Sequence, residues 1–422
     1  MIKLYPLIIL IIFFLNACKV TNTLPPARNL SAMYNPAATT IHPQIFVYDK
    51  LQAGIDLYSI IFTNQLLFNS ANSENTPMAR IKIYYKIMES HENTAVLDSA
   101  SKFLNIKRSQ ANDVLAIRFP LAKISLNKFV IQVTVTDLIR NKMNIKFIDI
   151  DALQMQTARH FYVSHFPTHQ PFFSNSTVLS DTLLIEFANA QTPKIYLKKF
   201  NNDFGFPTPP YASTYTNYKI ANPDTIIEYV NNQNITFTHT HRGMFYFQSD
   251  TTINEGLAIP DFGEEYPYFK SAEKLIEPLA YLCNAYEYKI LTSQTTKKLA
   301  VDNFWLQTSS DSKNAKEQIR VFYSRATYAN IYFTSVCEGW KTDRGMIYIV
   351  FGPPKIVNKT SEGETWIYSD NSNMKMVKFN FTKTYHPFSN NHYVLKRSVE
   401  LKLVWDEAVK TWRSGKIYSF DI

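Results

Sequence analysis

The sequence predicts a chain of mixed class, in which two all-β units precede one α+β unit. Three observations predict it. From Gln44 to about Ile150, short runs rich in β-branched and aromatic residues follow one another. A second series of the same kind runs from about Asp151 to Thr252. After Gly256 the apolar period changes from two to three and four. The length of 422 residues, 45% hydrophobic and 19% charged, is enough to bury several cores and excludes a disordered chain.

The chain opens with one Lys, then an apolar run from Leu7 to Leu15, too short for a membrane-spanning helix but right for a signal peptide over residues 1–17. Leu15-Asn16-Ala17-Cys18 resembles a bacterial lipobox, whose cysteine is cleaved free at its amino end and acylated. The resemblance implies that Cys18 is the first mature residue and is held to a membrane by acyl chains. A plain signal peptide with a chance cysteine is the alternative. Lys19 stands where an Asp would favour the inner membrane, so the outer membrane is expected. No acidic residue lies between Cys18 and Asp49, which favours the periplasmic face over the cell surface. Residues 18–40, polar and carrying Pro25, Pro26 and Pro36, read as an extended tether.

Residues 41–150 form the first β unit. Val130, Gln132 and Thr134 alternate with Ile131, Val133 and Val135, the period of a half-buried strand. The strand spacing predicts an immunoglobulin-like sandwich. Residues 151–255 form a second, with "FGFPTPPY" (204–211) as a loop that proline keeps out of a sheet. Residues 256–422 form the α+β unit. Leu275, Leu279, Leu282, Tyr286 and Ile290 predict one helix, bent or begun at Pro278. Ile319, Phe322, Ala326, Ala329, Phe333 and Val336 predict a longer one, capped by Asp311 or Ser312. Strands are expected at Met346–Phe351, Thr365–Tyr368, Val377–Thr382 and Tyr393–Leu403.

Composition narrows the chemistry. Only 10 Gly leave little material for phosphate loops. The net charge of +9 is spread along the chain. It favours an anionic neighbourhood such as a membrane surface, with no nucleic-acid partner expected. No nucleophile elbow, His-Glu-x-x-His helix or phosphate loop occurs. His160, His165, His169, His239 and His241 are scattered in loops and strands, so no metal and no cofactor is expected. Cys283 and Cys337 read either as a disulfide or as two buried thiols.

The densest stretch is "EGWKTDRGMIYIVFGPP" (338–354). One reading makes Asp343 a base or metal ligand with Thr342 beside it. The other makes the stretch a structural junction. Gly339 then ends the long helix, Trp340 buries its ring, Thr342 and Asp343 bind turn amides, and Gly345 allows close approach. Gly352, Pro353 and Pro354 stop the following strand. The structural reading accounts for more residues, and no catalytic residue is assigned.

Asn303-Phe304-Trp305, Tyr328-Ala329-Asn330, Gly339-Trp340-Lys341-Thr342-Asp343-Arg344-Gly345, Tyr348, Gly352-Pro353-Pro354 and Glu364-Thr365-Trp366-Ile367-Tyr368 together resemble the GWxTD domain family. The likeness spans about Lys298 to Val404. It implies an exported, Bacteroidota-like protein in which such a domain follows β-sandwiches, and implies no particular activity. A looser likeness is to the small outer-membrane lipoproteins that accompany β-barrel assembly, on Gly352-Pro353-Pro354 and Trp366-Ile367-Tyr368. In those the run before the Gly is a helix, whereas Met346–Phe351 reads as a strand. Two function classes follow. One is a lipid-anchored envelope scaffold, with a β-barrel assembly or secretion complex as partner. The other is a periplasmic hydrolase of cell wall or protein.

Overall fold

A computed structural model describes residues 29–70, 76–151, 157–201, 204–215, 218–231, 234–308, 312–372 and 375–420. Cys18 and the signal segment lie outside the described residues.

The first unit has strands β1 (Gln44–Asp49), β2 (Ile55–Phe62), β3 (Met78–Met88), β4 (Val96–Lys107), β5 (Val114–Pro120), β6 (Lys128–Asp137) and β7 (Lys142–Asp151). They form two antiparallel sheets, ordered β1-β2-β5 and β4-β3-β6-β7. Leu57 and Ile61 from one sheet meet Ile81, Ile83, Ile131 and Val133 from the other. That is the odd-numbered face of β6, as the alternation requires.

The second unit has β8 (Phe161–His165), β9 (Leu183–Phe187), β10 (Lys194–Phe200), β11 (Thr225–Val230), β12 (Ile235–Phe237), β13 (Gly243–Gln248) and β14 (Leu257–Asp261). Its antiparallel sheets are ordered β12-β9-β8 and β11-β10-β13-β14. The second sheet therefore runs past the change of period at Gly256, to Asp261.

The α+β unit follows, with α1 (Ala272–Ile276), α2 (Ala285–Ser293), α3 (Lys297–Thr308), α4 (Ser312–Phe333), α5 (Asp343–Phe351), then β15 (Ile356–Lys359), β16 (Gly363–Ser369), β17 (Met376–Lys383), β18 (Tyr393–Leu395) and α6 (Leu401–Arg413). The four strands form one antiparallel sheet in chain order. Phe322, Ala326, Ala329 and Phe333 of α4 are buried at the expected spacing.

Several expectations are corrected. Met346–Phe351 is not a strand but most of helix α5. All six residues are buried, so no polar face marked a helical period. The helix is set by its start, where the Thr342 hydroxyl accepts from the Gly345 amide. The single helix expected around Pro278 is two. Pro278 sits in a 3₁₀ turn over Glu277–Tyr281, and Asn284 starts α2 with a reciprocal cap to Glu287. Tyr286 and Ile290 are consequently exposed rather than sharing a buried face with Leu279. The last strand ends at Leu395, and α6 begins at Leu401 with Trp405, Ala408 and Trp412 buried in helical steps.

The largest correction concerns the expected tether. Its described end is packed into the α+β core. Leu30 and Tyr34 are buried there. The Leu30 amide donates to the Val357 carbonyl, and the Asn29 side-chain oxygen accepts from the Val357 amide at 3.1 Å. The chain thus enters its last domain before it builds its first.

Candidate functional site: the Gly-Trp-x-Thr-Asp corner

The corner lies between the end of α4 and the start of α5. Asn330 of α4 organises it. Its side-chain oxygen accepts the Trp340 amide at 3.1 Å, and its amide nitrogen donates to the Pro267 carbonyl at 2.9 Å. Gly339 does not end α4, which stops at Phe333. It opens a short 3₁₀ turn pressed against α4. A Cβ there would stand 2.1 Å from the Ala329 carbonyl oxygen, so only glycine fits. Gly345 meets the same turn from the other side, where a Cβ would lie 2.0 Å from the Gly339 oxygen. The 3₁₀ turn is thus held at backbone contact between α4 and α5.

Trp340 is 1% exposed. Its ring packs among Phe206, Phe269 and Tyr281, and its carbonyl accepts from the Tyr281 hydroxyl at 2.6 Å. Thr342 works in both directions. Its hydroxyl donates to the Gly339 carbonyl at 2.7 Å and accepts from Gly345 at 3.0 Å. Gly352 caps α5 at φ +83°, a conformation that favours glycine. The exposed Pro353 and buried Pro354 follow it, so they stop a helix, not a strand.

Asp343 is 2% exposed and both its oxygens are occupied. One takes the Leu395 amide at 2.7 Å and an Arg397 nitrogen at 3.1 Å. The other takes the second Arg397 nitrogen at 2.6 Å. Arg397 goes on to the Thr208 carbonyl at 2.9 Å. Thr208 belongs to the proline-rich loop, which covers the corner. Phe206 lies on Trp340, the Ser398 amide donates to Pro210, and the Tyr218 hydroxyl donates to Lys341 at 3.2 Å.

A second buried charge cluster adjoins the first. Arg344, next to Asp343, reaches the Glu364 carboxylate at 3.4 Å and lies over the Tyr393 ring at 3.8 Å. Glu364 also accepts from Lys359 at 2.9 Å, from the Trp366 indole at 3.0 Å and from the Tyr34 hydroxyl at 2.9 Å. Burial alone would raise the Glu364 carboxyl, but Lys359 and Arg344 hold it down at about 2. Burial pushes the Tyr34 hydroxyl up, and the Glu364 charge pushes the same way, so Tyr34 stays a donor. Trp366 is fully buried against Phe333, Phe381 and Tyr34. The sequence did not disclose the roles of Arg397, Glu364 or Tyr34.

The corner therefore joins separate stretches of chain: residues 29–34, the loop at 204–218 and the helices and sheet of the last unit. The other candidates lie apart from it. His239 is buried against Phe237 and pairs with Asp261 at 2.9 Å, while His160 and His165 each face one aspartate. Among the described residues no three His, Cys, Asp or Glu side chains converge. No disulfide joins Cys283 to Cys337, and burial pushes the Cys283 thiol up to about 12.

The family model of the GWxTD domain matches residues 243–414. It begins earlier than the motif suggested, at β13, so the matched stretch takes in two strands of the second sandwich and ends in α6. No curated protein matches the chain. With the Gly-Trp-x-Thr-Asp corner built as described and the match running from β13 through α6, this chain carries a GWxTD domain over residues 243–414.

Proposed function

We propose that this chain is a lipid-anchored scaffold of the bacterial cell envelope, held at the periplasmic face of the outer membrane through Cys18. In this reading it is accessory to a β-barrel assembly or secretion complex and performs no catalysis of its own. The observation that carries the reading is the use made of the motif. Asp343, Thr342 and Trp340 use their polar groups and surface to hold the proline-rich loop to the last unit, and the adjoining Arg344–Glu364 cluster holds the 29–34 segment through Tyr34. A base or nucleophile needs a free, approachable atom. Asp343 offers none.

Two further observations support it. A pull on a lipid at Cys18 would act through residues 29–34 on the GWxTD core, which suits a load-bearing adaptor. The run before Gly352 is helical, and a helix, Gly-Pro, then a strand pair carrying Trp366 and Tyr368 is the order expected from the barrel-assembly lipoproteins. A hydrolase would need acids converging on a cleft. The groove of about 350 Å³ between α2 and α6 contains Glu287 and Asp406, but Arg413 holds the first at 3.1 Å and Lys402 holds the second.

Crosslinking in intact cells, followed by affinity isolation from membranes, tests the proposal. Envelope assembly or secretion components should be recovered with the wild type and lost with Cys18→Ser, which should leave the membrane fraction. A Cys18→Ser protein that still sediments with outer membrane would remove the lipid anchor from the account.

A further inference from the structure

An edge strand with open N–H and C=O groups recruits other strands unless something blocks it. Most edges here carry a block. On β4, Lys102 points inward and its ammonium takes the Arg118 carbonyl of β5 at 2.6 Å, guarding both strands. Tyr48 of β1 packs on Tyr162 of β8, and the far side of β8 takes the Phe172 amide. Residues 29–37 cover β15 and meet β7, where Lys142 donates to the Ala37 carbonyl. Pro260 interrupts β14, and β12 and β18 are three residues long.

β11 has no such device. Its sequence, "TIIEYV", holds no proline, no lysine and no inward charge. Ile226, Ile227 and Val230 are 56%, 44% and 63% exposed. The direction of its free groups follows from one contact. The Asn231 amide donates to the Pro193 carbonyl. Counting along the register, Thr225, Ile227 and Tyr229 then bond to β10, opposite Lys199, Leu197 and Ile195. Ile226, Glu228 and Val230 turn their backbone groups to the open side.

We infer that β11 pairs antiparallel with β11 of a second copy of this chain, about a two-fold axis at Glu228. In that register Ile226 faces Val230 of the other copy, and Val230 faces its Ile226. Every outward backbone group of the strand is then bonded. The axis preserves the faces of the sheet, so Ile227 meets Tyr229 across the inner side. A register moved by one bonded pair puts Ile226 or Val230 opposite Glu228 and leaves one end of the strand unpaired. Charge fits the same register. The two Glu228 residues meet at the axis, a contact that would repel if bare. Each is held by its own Lys194 at 2.7 Å, and Lys198 sits beside Ile226 in the neighbouring row. Glutamates at the centre are thus flanked by lysines on both sides, and the two four-stranded sheets become one continuous sheet.

The test uses the full chain in mild detergent. Light scattering across a concentration series should give twice the chain mass at high concentration, and Ile226→Lys/Val230→Lys should stay at the single mass with an unchanged melting temperature. Oxidation should link Glu228→Cys to itself, since the paired Cα atoms stand about 5.5 Å apart. Neither wild type nor Tyr196→Cys, one strand further from the axis, should link. A wild type that stays monomeric overturns the inference, including the case where β11 accepts a strand of another protein. So does a dimer that survives the lysine pair, or a Glu228→Cys protein that does not crosslink. If the lysine variant fails to fold, the crosslink decides alone.

Discussion

At the residue scale buried charge holds the corner together. Asp343 and Arg397 are sealed together, so removing one partner strands the other in a site of low polarizability. Asp343→Asn should cost about 3–5 kcal/mol of stability, the range for breaking a buried pair. Trp340→Ala should cost a similar amount, about 3–5 kcal/mol, through the cavity left by the ring. Asp343→Leu combined with Arg397→Met should recover much of the first loss, because no charge is then left unpaired. Chemical denaturation of the three variants checks this, and a double variant no better than the single would contradict it. Histidines set the acid limit. Burial holds His42 and His392 down at about 4, against an ordinary value near 6.5. Between those values the unfolded chain binds protons that the native protein refuses, so stability is full above about pH 6.5 and falls as pH drops towards 4. Glu364, held at about 2, adds its own loss only below its ordinary value near 4.5. Thermal melts should therefore begin to fall between pH 7 and 5, and His392→Asn should flatten that part of the profile.

At the element scale the packing of the 3₁₀ turn between α4 and α5 depends on bare backbone. Gly345→Ala should cost several times the loss of about 1 kcal/mol expected at an ordinary buried contact, because its Cβ meets backbone rather than a flexible side chain. Gly352→Ala should be milder in packing but strained by its φ. Melting temperature ranks the two, and a Gly345→Ala protein as stable as wild type would contradict the close approach of α5 to the turn. The same elements mark what the sequence disclosed. Most sandwich strands were legible because they bury one face against a second sheet, whereas β4 and β11, exposed along most of their length, were not, and α4 was legible because one face stays wet. α5 was misread because it is buried on every side, which erases the period. α6 was legible in principle from Trp405, Ala408 and Trp412. Its first residues were absorbed into a strand reading of Tyr393–Leu403. Within the corner, Thr342 and Gly345 could be read as a junction because their partners lie within a few residues, and Gly339 and Trp340 because a glycine beside a large ring marks a tight, buried turn. Asp343 could not, since Arg397 is 54 positions away. Tyr34 and Glu364 are 330 positions apart, beyond any local pattern.

At the scale of the molecule the chain is closed on itself. Its first described residues and its last unit share one core, and the loop of the second sandwich covers the junction. Tyr34→Ala should free residues 29–38, so limited proteolysis should cut there well before it cuts wild type, with the sandwiches left intact. Equal cutting in both proteins would mean that the segment is not held as described. If the corner is a joint and not a reaction centre, every variant that loosens it should lose function only as folded protein is lost. Complementation of a deletion strain, plotted against the amount of folded protein in the cell for Trp340→Ala, Gly345→Ala and Asp343→Asn, is the most direct test. All three should fall on one line with wild type. An Asp343→Asn protein that melts like wild type, accumulates to the same level and still fails to complement would contradict it and make Asp343 a chemical group.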